Sequence, residues 1–284
     1  MTTVFLALAT SLLFGVGDFL GGVATRRDTP YAVTGTSHLF SIVLLGIAVL
    51  LLPAAHPTTG DLLWGAVSGL SGVIGVIALF TALAAGHMSI VAPIVAALSA
   101  SLPALFDLAT GTQLSTSTLV GMSLAVVAIV IVSIAPDDQL HLPSHAYHPR
   151  KALAFSVLSG IGFSGAFIAF SFTSAESGLT PLLAARAVSV PIAIALAFLL
   201  GRGFPVGRPA LAPALGAGLT DALANVTMLT AIRLGPLAVA SVLGSLFPVV
   251  VVVLARVFLG ERLSWLQRIG VTIAMIAVVL SAMP

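Results

Sequence analysis

Ten apolar runs of about twenty residues, nearly free of charge, follow one another along a chain of 284 residues. They span residues 3–24, 31–52, 62–85, 88–107, 115–135, 152–173, 181–200, 210–232, 236–259 and 264–282. A helix needs about 20 apolar residues to cross a bilayer's hydrocarbon core. The pattern therefore predicts an all-α integral membrane protein with ten transmembrane helices. Only 7% of the residues are charged and 59% are hydrophobic, against roughly 25% charged in soluble domains. Too few charges remain to cover a water-facing surface. The eleven Lys and Arg are scattered and the formal net charge is +2, so no basic face for nucleic acid is built. No cysteine is present, which excludes disulfides, thiolate metal sites and a Cys nucleophile. The opening segment MTTVFLALATSLLFGVGDFL lacks the basic start and cleavage site of a signal peptide, and is expected to stay as the first helix.

The longest connection, PDDQLHLPSHAYHPRK at residues 136–151, is polar and falls near the middle. It separates a first five-helix repeat (1–135) from a second (152–284). A shift of 149 residues lays the end of the first on the second without a gap: Thr81 on Thr230, Gly86 on Gly235, Gly111 on Gly260, Ser115 on Ser264 and Gly121 on Gly270. Five spans cross an odd number of times, so the second copy enters the bilayer in the opposite sense. Such inverted repeats are found in transporter folds, with a site near the midplane between the halves.

Close approach through small residues drives helix contact in lipid. Gly65, Ser68, Gly69, Gly72 and Gly75 form such a stripe on the third span, Gly17 and Gly21 mark the first, and Gly160, Ser164 and Gly165 the sixth. Pro93, Pro103, Pro191, Pro213 and Pro248 are each expected to remove a hydrogen bond from a helix interior. Pro93 and Pro248 are the hinge candidates. Arg26, Arg27, Arg150, Lys151, Arg202, Arg208 and Arg262 fall in loops on one side, and Arg233 alone on the other. By the positive-inside rule both termini then lie outside.

Ionisable groups inside the bilayer cost at least about 2.5–3.5 kcal/mol and point to function. Asp18 in the first span can bind a cation or act as a coupling acid; otherwise it is a neutral, hydrogen-bonded packing group. Asp221 in the eighth, with Asn225 one turn later, makes a polar patch that lines a cavity or holds two helices together. Arg186 in the seventh needs a carboxylate, carbonyls or an anionic substrate, unless it snorkels to the headgroups. His38 in the second can titrate near neutral pH; a lone helical His is also commonly a satisfied hydrogen-bonder. Asp107 and Arg256, at corresponding positions, sit near helix ends and are expected to be solvated. Glu261 and Arg262 are expected to cap the turn between the last two spans.

The segment from Gly244 to Gly270 holds Ser245-Leu246-Phe247-Pro248, an apolar run, Leu259-Gly260-Glu261-Arg262-Leu263, then Gln267 and Gly270. With Pro181-to-Arg186 (PLLAAR), and Phe14-Gly15 followed by Gly17-Asp18-Phe19, it resembles the drug/metabolite transporter superfamily, specifically the EamA-like ten-helix permeases. That resemblance covers the whole chain as two inverted five-helix EamA-type repeats. The chain departs from the pattern at Thr112-Gln113, where the family often has Glu and a basic residue. It departs again at Thr36-Ser37-His38, near a common Arg, so Arg186 lacks a symmetry mate. The resemblance implies cytoplasmic termini, contrary to the charge count.

These features point to a multi-pass secondary transporter of the cytoplasmic membrane that moves a small organic solute by alternating access. The resemblance implies an exporter of amino acids or amphipathic metabolites. The cavity is expected between the halves, lined by spans 1, 3, 4, 6, 8 and 9, with Asp18, Asp221 and Asn225 as polar contacts. Proton exchange through Asp18 and facilitated diffusion both fit. No cofactor, metal or nucleic acid is expected, and the protein is a monomer or a homodimer. One rival is an uptake permease for sugars. Another is an intramembrane enzyme: Gly162-Phe163-Ser164-Gly165 matches the GxSG of rhomboid-type proteases. All six histidines lie at or before His148, so the later His base is missing and no enzyme is expected. A scaffold leaves Asp18 and Asp221 unexplained. No ATP-binding loop is present.

Overall fold

A computed structural model describes residues 2–52, 55–111, 116–117, 119–121, 123–124, 127, 131, 148–201, 203–235, 237–260 and 265–281. Among the described residues ten α-helices are delimited and no strand occurs. They are α1 (Thr2–Thr25), α2 (Pro30–Leu51), α3 (Thr59–Ala85), α4 (Met88–Ala109), α5 (Pro149–Ser171), α6 (Thr180–Leu199), α7 (Arg208–Leu234), α8 (Leu237–Gly244), α9 (Phe247–Leu259) and α10 (Trp265–Ser281). The first seven are long and apolar enough to cross a bilayer. Most of the expected fifth span and linker, with Glu261 and Arg262, lies outside the described residues.

The helix starts follow from their capping residues. Thr29 caps α2, taking the Ala32 N–H on its hydroxyl, and Pro30 fills the first turn, where a missing N–H costs nothing. Thr58 and Asp61 form a reciprocal capping box at α3, which satisfies two donors that the first turn leaves free.

The ninth span is not one helix. It stops at Gly244 and restarts at Phe247. Across the break the Ser245 N–H still reaches the Ser241 carbonyl at 2.9 Å, and the Leu246 N–H reaches Leu243 at 3.3 Å. Pro248 therefore sits in the first turn of α9, and the expectation that it removes an interior hydrogen bond is corrected: first-turn N–H groups have no helical partner to lose. The break contacts α4 through the Ser99 and Ser245 hydroxyls, 3.2 Å apart. Pro93 does lie inside a helix, and α4 runs past it from Met88 to Ala109.

Helix bounds repeat along the chain. Moved by 149 residues, Thr59 falls on Arg208 and Ala85 on Leu234, the first and last residues of α3 and α7. Met88 likewise falls on Leu237, the start of α8. The packing follows the same rule. The most extensive contacts are α3 with α5 and α1 with α7, then α3 with α6, α2 with α6, α4 with α5 and α2 with α7, and α4 with α5 has its counterpart in α1 with the broken pair α8 and α9. Each pair becomes another, or itself, when the halves are exchanged.

Glycine allows these contacts. A Cβ on Gly69 would lie 2.2 Å from the Ala185 carbonyl oxygen on α6, and one on Gly218 2.4 Å from the Ser37 carbonyl oxygen on α2. Gly69 and Gly218 correspond under the same shift, so one device sets both crossings. The core between the halves is mostly Ala, Leu, Val and Phe.

Both ends of the bundle are tied shut between halves. At one end Asp61 accepts the Ser174 N–H at 2.6 Å and its hydroxyl at 3.1 Å, joining α3 to the loop before α6. Arg233 at the end of α7 donates to the Gly178 carbonyl (2.6 Å) and the Ser177 hydroxyl (2.8 Å) of that loop. At the opposite end Asp28, in the loop after α1, accepts the Gly207 N–H at 2.8 Å, and Arg27 donates to the Pro209 carbonyl at 2.8 Å. The Asp61, Asp28 and Arg27 ties each join the loop between the first two helices of one half to the start of the third helix of the other, and Arg233 holds the loop before α6 from within the second half.

Candidate functional site

Where α2 crosses α6, two polar contacts sit within an apolar bundle. His38 Nδ1 lies 2.9 Å from the Ser189 hydroxyl. Arg186 Nε donates to the Ser41 hydroxyl at 3.1 Å, and its terminal nitrogen pairs with the Asp221 carboxylate on α7. Asn225, one turn beyond Asp221, donates from Nδ2 to the other carboxylate oxygen at 2.9 Å and to the Asp221 carbonyl at 2.8 Å. Arg186 is 7% exposed, so it does not snorkel. It spends its charge on Asp221, and the two make a desolvated but mutually neutral pair.

Beside this pair lies a cavity in two lobes, each with a volume of about 30 Å³, room for about two waters. Asp18, Ser37, His38, Phe80 and Ala217 line the first lobe. Ser68, Gly72, Phe167, Arg186 and Asn225 line the second. Phe14, Val76, Phe163 and Asp221 border both. Most of the lining residues correspond under the 149-residue shift, His38, Phe80, Phe170 and Ala185 being the exceptions. Phe14 maps to Phe163, Asp18 to Phe167, Ser37 to Arg186, Val76 to Asn225, Ser68 to Ala217 and Gly72 to Asp221. Residues 149 apart thus line the two lobes with different chemistry. Every ionisable group in these pairs faces a neutral counterpart.

All five candidate residues meet here. Asp18 and His38 come from the first half, Arg186, Asp221 and Asn225 from the second. His38 is 1% exposed, and its Nε2 has no hydrogen-bond partner among the described residues. Asp18 is partly exposed to the cavity and makes no hydrogen bond to a described group. Pro93 and Pro248 do not line either lobe. The expected lining by spans 4 and 9 is corrected: α2 and α6 take their place. The reason is that α4 packs on α5, α8, α9 and α10, away from the cavity, whereas α2 and α6 carry His38 and Arg186 between the halves.

Sequence reasoning missed Ser37, Ser41, Ser189 and the rings of Phe14, Phe80 and Phe163. The shift of 149 carries the signal for two of them, since it puts Ser37 on Arg186 and Phe14 on Phe163. It also missed Asp61 and Asp28 as ties between the halves, and Arg233 as the group that holds the loop before α6. Asp107 is half-buried and accepts a hydrogen bond from the Ala238 N–H at the start of α8, so it is a capping group more than a solvated one. Ser164, of the GxSG sequence, donates to the Gly160 carbonyl at 2.7 Å and the Leu98 carbonyl at 3.2 Å. It is occupied at the α4–α5 contact. Among the described residues no three His, Cys, Asp or Glu side chains are grouped to hold a metal.

Residues 150–283 match the EamA-like transporter family. One crystal structure is similar over 98% of this chain and 95% of its own, with a TM-score of 0.71 and 17% identity. That likeness is one of fold. No curated protein sequence matches the chain.

Proposed function

We propose that the chain, whose residues 150–283 match the EamA-like transporter family, belongs to the drug/metabolite transporter superfamily and is a secondary transporter of a small organic solute working by alternating access. The observation that carries this reading is the cavity between the halves, with ionisable groups from both and a polar tie at each end. A lobe of about 30 Å³ holds no solute larger than a few atoms. The halves must part at one end or the other to admit one, and the two ties are the contacts that break. The helix bounds and contact pairs that recur at 149 residues support a doubled five-helix unit, and its odd number of spans makes the repeat inverted. The described helices account for most of the ten spans that unit requires.

Exposed Arg27, Arg150, Lys151 and Arg208 gather at the end tied by Asp28. That distribution supports a cytoplasmic position for this end and outward termini, in the cytoplasmic membrane of the cell. Export is the direction the resemblance favours. Proton exchange fits Asp18, which faces His38 on α2, Val76 and Phe80 on α3, Phe163 on α5 and Asp221 on α7. An acid in such a place alternates between a proton and its ligand.

The reading is tested by counterflow into proteoliposomes preloaded with leucine, glucose, uridine or phenethylamine. Accumulation of the labelled form of at least one of them, above protein-free vesicles, supports a transporter. Accumulation of none of the four leaves the scaffold reading in its place.

A further inference from the structure

We propose that the solute carries a positive charge: the first lobe receives an organic ammonium group, with Asp18 as its counter-ion and His38 Nε2 as a second, hydrogen-bonding contact. This deepens the transporter reading and rests on it.

The argument is one of charge and vacancy. Four ionisable side chains line the cavity: Asp18, His38, Arg186 and Asp221. Arg186 is the one fixed cation among them, and it is paired with Asp221 and bonded to Ser41. Both oxygens of Asp221 are occupied, by Arg186 and by Asn225. An anionic solute would have to displace Asp221 from Arg186 and leave a buried carboxylate unpaired, which is strongly unfavourable. Asp18 has no such partner among the described groups. Its neighbours in the lobe are the rings of Phe14, Phe80 and Phe163, the side chain of Val76, and the polar groups of Ser37, His38 and the already paired Asp221. A carboxylate among aromatic rings suits an ammonium ion, which is attracted both by the charge and by ring faces. A neutral polyol would find too few partners, because a desolvated hydroxyl without a hydrogen bond is penalised.

A second, independent observation points into the same lobe. His38 is 99% buried and lines it, yet Nε2 is unpaired. Nδ1 is engaged with Ser189. A buried polar atom of this kind calls for a partner, and none of the described groups supplies one. An ammonium at Asp18 is placed to do so as the donor, with Nε2 accepting and the ring proton on Nδ1, directed at the Ser189 hydroxyl.

The repeat sharpens the assignment. Asp18 corresponds to Phe167 in the second lobe, and Val76 to Asn225. The first lobe offers a carboxyl group with no partner among the described groups. The second offers a closed ion pair, an amide already engaged with Asp221, and the rings of Phe167 and Phe170. The pattern fits a solute with an ammonium head in the first lobe and an apolar or weakly polar body extending to the second once the halves separate.

The test compares three probes of one shape on the purified full-length protein in lipid nanodiscs: phenethylamine as its cation, 2-phenylethanol and 3-phenylpropionate. Binding is read by thermal shift and by competition against labelled phenethylamine. The cation is expected to bind at least about tenfold more tightly than either other probe, the size of a desolvated cation–π and ion-pair contact. Asp18→Asn should abolish that preference, and Asp18→Glu should keep it. His38→Phe should weaken the cation while leaving its preference over the alcohol in place. Equal binding of the three probes overturns the proposal, as does tighter binding of the carboxylate or a preference that survives Asp18→Asn in a protein that still elutes as a single species. If leucine, glucose or uridine is accumulated by the proteoliposomes while phenethylamine is not preferred, the substrate class fails and the transporter reading stands. If none of the probes binds or accumulates, both fail.

Discussion

Ser37 and Arg186 occupy corresponding places in the two halves, 149 residues apart, and do different work. The Ser37 hydroxyl donates to the Ala214 carbonyl at 2.9 Å and binds α2 to α7. Arg186, from α6, reaches across to Asp221 on the same α7. One position serves packing in the first half and charge in the second. The cavity therefore has one set of ionisable partners, not two.

That pairing predicts strong coupling between Arg186 and Asp221. Asp221→Asn strands a buried guanidinium, and removing one partner of a buried pair costs about 3–5 kcal/mol. Arg186→Gln strands the carboxylate in the same way. The double variant Arg186→Gln/Asp221→Asn should lose much less than the sum of the two. A double-mutant cycle on the thermal unfolding midpoint in detergent measures this. Additive losses would mean that the pair contributes no interaction energy.

The helix crossings predict a contrast between two glycines. Gly69→Ala forces a methyl to within 2.2 Å of the Ala185 carbonyl, and backbone cannot yield as a side chain tip can. Overpacking of this kind costs about 1–3 kcal/mol. Gly46, with nothing within 4 Å of an added Cβ, should tolerate Ala or gain slightly from helix propensity. Thermal midpoints of the two variants, measured side by side, separate the cases; equal midpoints would remove the close-contact account.

The tie at Asp61 predicts a local opening. Asp61→Ala loses its bonds to Thr58 and Ser174 and the capping box with them, about 1–2 kcal/mol for the cap alone. The chain has no native cysteine, so a single introduced thiol reports cleanly. Ser177→Cys, fully buried in the parent, should react faster with maleimide when combined with Asp61→Ala. Asp28→Ala, at the other end, should leave that rate unchanged.

Proton coupling makes a prediction at Asp18. In a coupled exchanger, a pH gradient drives accumulation of the transported probe, and Asp18→Asn should abolish that drive while the protein still folds. Facilitated diffusion predicts no response to the gradient in either protein. The measurement is uptake with and without an imposed gradient, compared with a protonophore control.

The chain's membrane character was legible from run length and charge, because lipid leaves so few ways to satisfy a backbone. The meeting of Asp18, His38, Arg186, Asp221 and Asn225 was legible as a set, since a buried ionisable group in lipid has few harmless uses. Their partners were not. Arg186 read equally well as a snorkelling end group, because spacing along α6 does not say which residue of α7 faces it. The break before Pro248 was misplaced for a similar reason. A proline marks where a helix cannot continue backward, and whether it kinks an interior or opens a new helix depends on the two residues before it. Asp61 and Asp28 were passed over because a polar residue near a helix end is ordinarily solvated. Here each accepts backbone donors from the opposite half.

The most direct test of alternating access needs no substrate. Ala217, 2% exposed in the first lobe, is changed to cysteine and probed in proteoliposomes with an impermeant thiol reagent from each side. One end is then locked with a short thiol crosslinker, either between Asp61→Cys and Ser174→Cys or between Asp28→Cys and Gly207→Cys, with labelling of Ala217→Cys scored on the locked fraction. The account predicts that each lock leaves the cavity thiol reachable only from the end left free, so the two locks give opposite sidedness. Labelling from the same side under both locks, or from neither side under either, would contradict it.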